Sequence, residues 1–161
     1  MALTQSAWAV KTIRERTIAS CTVQATTSEN DAYTLKTPPA IDTRKPYTLY
    51  VVYSATPDGQ ATPLDIWVGK DDDFALSGND SSVVATSGAK FKQIFDDTVL
   101  AVTPLQYVFS VQPELAVADV VTVAAIATGP KVQVPSGTSH IFNLNGGSTL
   151  AAHTATYTIV Q

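Results

Sequence analysis

The sequence predicts an all-β domain, and three observations carry that prediction. Apolar and polar residues alternate at period two in one short segment after another, as strands half buried in a sheet require. Pro, Gly, Asn and Asp cluster between those segments and supply turn chemistry. Across most windows the 3.6-residue apolar period of a helix fails. About ten short strands at regular spacing, joined by loops of mixed length, predict a two-sheet β-sandwich of jelly-roll type with an N-terminal arm. An immunoglobulin-like sandwich is the alternative, but the Cys…Trp…Cys spacing that marks it is absent.

Each element follows from its residues. Residues 1–7 are small and polar and form an arm. Trp8, Val10 and Thr12 alternate with Ala9, Lys11 and Ile13 in a candidate first strand, so residues 1–16 are the N-terminal unit and 17–161 the sandwich. Thr17 to Ala25 comes next, with Ala19, Cys21, Val23 and Ala25 on one face. A polar loop over 26–31 leads to a short strand, Tyr33 to Lys36, stopped by Pro38-Pro39. Asp42 to Pro46 turns the chain into its strongest strand, Tyr47 to Ser54. Apolar bulk on both faces predicts a central or covered place for it in a sheet. Pro57-Asp58-Gly59 is a turn, and Leu64, Ile66 and Val68 alternate in the following strand. Gly69 to Ser87 is loop, with one short helical turn over 72–76.

Phe91 to Phe95, Thr98 to Thr103 and Leu105 to Val111 are the next strands, with Pro104 at the corner between the last two. Glu114 to Ala118 is a turn, and Asp119 to Thr128 is a long strand apolar on both faces. Lys131 to Val134 lies between Gly129-Pro130 and Pro135-Ser136-Gly137. His140, Phe142 and Leu144 alternate before the Asn145-Gly146-Gly147 turn. Ala155, Tyr157 and Ile159 mark the terminal strand.

Charge is sparse and divided. Asp, Glu, Lys and Arg make up 15% of the 161 residues, against about 25% in an ordinary soluble domain. A surface that reserves so little charge for water suits a protein that lives against other protein. Net charge is −4, but residues 1–50 carry six basic and four acidic side chains, a balance of +2. Residues 51–161 carry four basic and ten acidic, a balance of −6. Such segregation favours head-to-tail contact between copies, or an arm laid on an acidic partner. The basic cluster that phosphate neutralisation needs is missing, which argues against nucleic acid. The uncharged run 120–130 is too short for a membrane span. Residues 1–9 lack a basic n-region, so the expectation is a chain made and folded in a cytosol, without a secretion signal.

Few residues carry chemistry. Asp71, Asp72, Asp73, Asn79 and Asp80 put oxygen ligands in one loop, the donor set a calcium ion takes. Their spacing is not that of an EF-hand, and a solvated loop is the simpler account. His140 and His153 flank the Asn145-Gly146-Gly147 turn, but two imidazoles alone make no metal site. Cys21, the one cysteine, sits among small and apolar neighbours and reads as a buried small hydrophobe. No nucleophile elbow or zinc-protease motif is present, so no catalytic residue and no cofactor is expected. Trp8, Tyr50 and Trp67 are the candidate partner contacts. Tyr50 and Trp67 alternate out of phase with their apolar neighbours, as a partner anchor, a sugar-stacking platform or a cap on a sheet end would.

The chain is small, all-β, rich in Thr and Ala and free of disulfides, and it opens on Ala2-Leu3-Thr4-Gln5-Ser6-Ala7. In those respects it resembles structural proteins of virions, above all the small decoration (cement) proteins of tailed-bacteriophage heads. The resemblance spans overall character and carries no residue-level role. It implies a non-enzymatic protein on the capsid surface, bound to the major capsid protein lattice, often as a homotrimer, that stabilises the shell. A carbohydrate- or cell-surface-binding module of a phage fibre or spike is the alternative. A metalloenzyme on a jelly-roll scaffold would need more clustered ligands than two histidines supply.

Overall fold

The computed structural model describes residues 3–25, 32–55, 62–70, 92–99, 105–114, 131–135, 139–145 and 153–161. Among them the chain is all β, with no helix. Eleven strands follow in order: β1 (Leu3–Gln5), β2 (Ala9–Ile13), β3 (Arg16–Ala25), β4 (Ala32–Lys36), β5 (Tyr47–Ala55), β6 (Thr62–Lys70), β7 (Lys92–Val99), β8 (Leu105–Glu114), β9 (Lys131–Pro135), β10 (His140–Asn145) and β11 (His153–Val160). No helix among the described residues is long and apolar enough to cross a membrane.

Two sheets form. The seven-stranded sheet runs β1-β3-β11-β5-β8-β9, with β2 also on β3, and the four-stranded sheet runs β4-β10-β6-β7. All pairs are antiparallel except β8 with β9. The alternation seen in sequence becomes the core. Ala19, Cys21 and Val23 of β3, Leu49, Val51 and Tyr53 of β5, Phe109 of β8 and Tyr157 of β11 are buried with Leu35, Val68 and Phe142 of the other sheet. Phe142 stacks on Tyr157 at 6.2 Å and meets Tyr47 edge-on at 6.5 Å. Burying side chains of this size stabilises by about 1.5–3 kcal/mol each.

The structure differs from the sequence reading at two elements and adds a turn on which that reading was silent. Leu3–Gln5 is paired to β3 opposite Val23–Ala25, within what the sequence marks as arm. Three residues are too few for alternation to signal a strand. Phe91–Phe95 and Thr98–Thr103 give way to one continuous β7 as far as Val99, because Asp96 and Asp97, turn-like in composition, sit in register opposite Asp65 and Leu64. The register shifts between Ile66 and Trp67, so the ladder absorbs Ile94 as an extra residue, a β-bulge. The added turn is the two-residue link between β2 and β3. Arg14 and Glu15 both adopt left-handed backbone, φ 49° and 67°. That is the geometry of a type I′ hairpin turn, where Asn-Gly is usual. Each non-glycine residue held there costs about 1 kcal/mol. The predicted strand over 119–128 and the helical turn over 72–76 lie outside the described residues.

Two clasps hold the edges. At the break between β1 and β2, the Ser6 amide donates to the Thr22 carbonyl at 2.9 Å and the Thr22 amide to Ser6 Oγ at 2.9 Å. Two residues on, the Trp8 indole N–H donates to the Lys36 carbonyl at 2.8 Å while its ring packs on the core, tying one sheet's edge to β4 of the other. Gln161 closes the other end. Its backbone exchanges two hydrogen bonds with Thr17, and its side-chain amide accepts from the Asp42 amide at 2.9 Å and donates to the Asp42 carbonyl at 2.7 Å.

Candidate docking surface

Strand geometry sends every second side chain of the seven-stranded sheet away from the core. The strand registers arrange those side chains in rows. One row runs Ile18, Val160, Thr48, Ser110 across β3, β11, β5 and β8. The next runs Ser20, Thr158, Tyr50, Val108, and the next Thr22, Thr156, Val52, Gln106. Gln24, Thr154 and Ser54 make the last. None of these residues is charged, although about a quarter of positions on an ordinary surface are. Most are only half exposed.

The hydroxyls on this face bond sideways to one another. Thr22 Oγ1 lies 3.1 Å from Thr156 Oγ1, and Ser20 Oγ lies 3.4 Å from Thr158 Oγ1. Part of their hydrogen-bonding need is therefore met within the sheet, which lowers the cost of covering them. Charge returns only at the margins. Lys11 of β2 extends the first row on one side, and Lys131 of β9 is the register partner of Ser110 on the other. Depletion of charge at the centre of a patch is one feature that protein interfaces share. At one end an open groove of about 360 Å³ is lined by Thr48, Ser110 and Val160 of the face together with Glu15, Arg16 and Gln161.

No protein-family model matches this chain, and no curated protein matches it.

The candidate residues are scattered by the fold. Tyr50 lies within the neutral face, half exposed, beside Thr158 and Val108. Trp8 is the partly buried clasp between the sheets and lies off that face. Trp67 is on β6, in register with Asn143 and adjoining the bulge. Asp71, Asp72, Asp73, Asn79 and Asp80, the calcium candidates, lie outside the described residues.

The histidines separate. His140 opens β10, where its Nδ1 lies 2.6 Å from the buried Tyr47 phenol oxygen. His153 opens β11 and stacks on Tyr53 at 4.9 Å. Tyr47 and Tyr53 stand at opposite ends of β5, about 20 Å apart at strand rise. Among the described residues no group of three or more His, Cys, Asp or Glu is placed to hold a metal ion. Cys21 is buried and its thiol donates to the Ser6 carbonyl at 3.3 Å. Burial pushes the thiol pKa up, and the Ser6 side-chain hydroxyl offsets part of that. A thiol so placed is a poor nucleophile.

The sequence reading missed the neutral face as a unit. Its signal was present in the Thr154, Thr156, Thr158 alternation, but only strand register shows that β3, β5 and β8 continue it.

Proposed function

We propose that this protein is a non-enzymatic structural component of a virion, a jelly-roll domain that docks on the outer surface of a capsid and stabilises the shell as a decoration protein. The uncharged, laterally hydrogen-bonded outer face of the seven-stranded sheet is the observation that carries the proposal. Strand order supports the jelly-roll form. The order β3-β11-β5-β8 in one sheet and β4-β10-β6-β7 in the other is what two interleaved Greek keys produce.

Area supports a lattice partner over a solitary one. The face spans four strands and about seven residues of each, roughly 450 Å² in projection at sheet spacings. A standard stable interface buries about 800 Å² per partner. A contact of the smaller size is weak alone and becomes firm when repeated across a shell by linked copies.

The test places a charge in the face. Thr156→Glu puts a carboxylate between Thr22 and Val52, and Thr156→Val is the control for the lost hydroxyl. Thr156→Glu should keep its melting temperature within a few degrees, yet lose at least about tenfold in co-sedimentation with shells of the same virus, as burying one unpaired charge demands. Unchanged shell binding would refute the proposal. Binding to glycans that disappears in Tyr50→Ala, with no binding to shells, would establish the carbohydrate module instead.

A further inference from the structure

The hairpin formed by β2 and β3 carries β2 out to the margin of the described fold. All five residues of β2 are exposed, although each is paired to β3. Val10 and Ile13 are 45% and 47% exposed. Val10 is opposite buried Ala19, so at β2 the sheet runs out beyond the cover that protects β3. The far edge of β2 has no strand partner among the described residues. Hydrogen bonding in a two-residue hairpin alternates outward from the pair that closes the turn, here Ile13 with Arg16. The N–H and C=O groups of Val10 and Thr12 therefore point away from β3 along that open edge. Such an edge is a template for strand addition unless something blunts it.

The ribbon is also basic. Lys11, Arg14 and Arg16 stand against Glu15, a balance of +2, in a chain of net charge −4, so the remaining residues sum to −6. Its tip keeps two long charged side chains, Arg14 and Glu15, on left-handed backbone that glycine would take without strain. Strain retained at an exposed tip points to a role for those side chains beyond folding.

We propose that the open edge of β2 adds as a strand to a second copy of this chain, on β7. This deepens the assembly side of the proposed function and names the contact between copies. Among the described residues β7 is the terminal strand of the four-stranded sheet, and it carries Asp96 and Asp97 against Lys92, a balance of −1. It lies at the opposite end of that sheet from β4, and β4 is the strand that Trp8 ties to the β2 side of the molecule. Donor and acceptor edges thus stand on opposite flanks, one basic and one acidic. A head-to-tail contact of this kind closes into a ring when the rotation between copies permits, and otherwise extends as a fibre. Backbone hydrogen bonds give the affinity, and Lys11 against Asp96 or Asp97 favours the correct partner edge.

Sedimentation velocity of the full chain over a concentration series tests it. The wild type should associate. Thr12→Pro removes an outward N–H while leaving the ribbon's own hydrogen bonds, and should weaken association at least about tenfold; Thr12→Val should leave it unchanged. Lys11→Glu should weaken association, and Asp97→Lys added to it should recover most of the loss. A wild type that stays monomeric throughout, or a Thr12→Pro variant that associates normally with its melting temperature intact, would overturn the proposal. The two readings separate cleanly: loss of shell binding in Thr156→Glu with self-association kept strikes only the docking face, and a monomer that still binds shells strikes only the ribbon contact.

Discussion

Tyr47→Phe isolates one buried hydrogen bond. Tyr47 is 3% exposed, and its phenol oxygen lies 2.6 Å from Nδ1 of buried His140. Phe keeps the ring, so the contacts to His140 at 5.7 Å and to Phe142 at 6.5 Å survive, and only the hydroxyl is lost. Removing one partner of a buried hydrogen bond costs about 1–3 kcal/mol, because the remaining group was desolvated for it. For a chain of 161 residues, each kcal/mol moves the melting temperature by about 2–4 °C, so a loss of about 2 kcal/mol lowers it by roughly 4–8 °C. Calorimetry at pH 7 reads this directly.

The pH dependence gives a second reading of the same buried hydroxyl. Burial holds the Tyr47 phenol pKa well above its ordinary value. The folded state then keeps a proton that the unfolded chain releases above about pH 10. The stability tied to this group is fully present below that pH and falls as pH climbs toward the raised folded value, by up to about 1.4 kcal/mol per pH unit. Tyr47→Phe removes this titration, so the gap between the two proteins should narrow above pH 10. A melting temperature lowered by less than 1 °C at pH 7, or a gap that stays constant through the alkaline range, would refute the argument.

Three other substitutions test the edges and the core. Trp8→Phe should cost about 1 kcal/mol for the lost indole hydrogen bond, and Trp8→Ala about 3 kcal/mol as packing goes too. Urea unfolding midpoints that do not move would make Trp8 a free surface contact instead of a clasp. Glu15→Gly should stabilise the chain by about 0.5–1 kcal/mol, since the strain relieved exceeds the entropy glycine adds to the unfolded state; a lower melting temperature would contradict the left-handed turn. Cys21 should react with an alkylating reagent at pH 8 roughly 100-fold more slowly in the native protein than in urea. Its raised pKa means that the thiol's contribution to stability holds below the ordinary thiol range and is lost as pH rises through the shifted value. Equal rates would show a thiol open to solvent.

Strand identity was largely legible in the sequence, and the reason is local. Tyr47 to Ser54 and Ala155 to Ile159 show their two faces by period-two alternation alone, and the structure buries one face of each. Leu3–Gln5 was not legible, because it is a strand only by virtue of the β3 edge it lies on. The Arg14-Glu15 turn carries no glycine to announce it, and β3 pairing imposes it. Trp8 shows a contact that the sequence does not announce. The sequence marks it as a partner contact or a cap on a sheet end, and the fold adds that its indole N–H is held by Lys36, 28 positions along the chain.

The sequence by itself determined that this protein is built of strands, that its core is made of alternating aliphatic and aromatic side chains, and that it has little charge to spend on solvent. Those properties follow from residue type and spacing. Only the tertiary structure decided where the charge is missing. Ile18, Val160, Thr48 and Ser110 come from four strands far apart in the chain, and register alone sets them in one row with Lys11 and Lys131 at the margins. Register is a non-local choice, fixed when the inner faces of all the strands meet one core, and a one-residue slip in any of them would turn its neutral side chains inward.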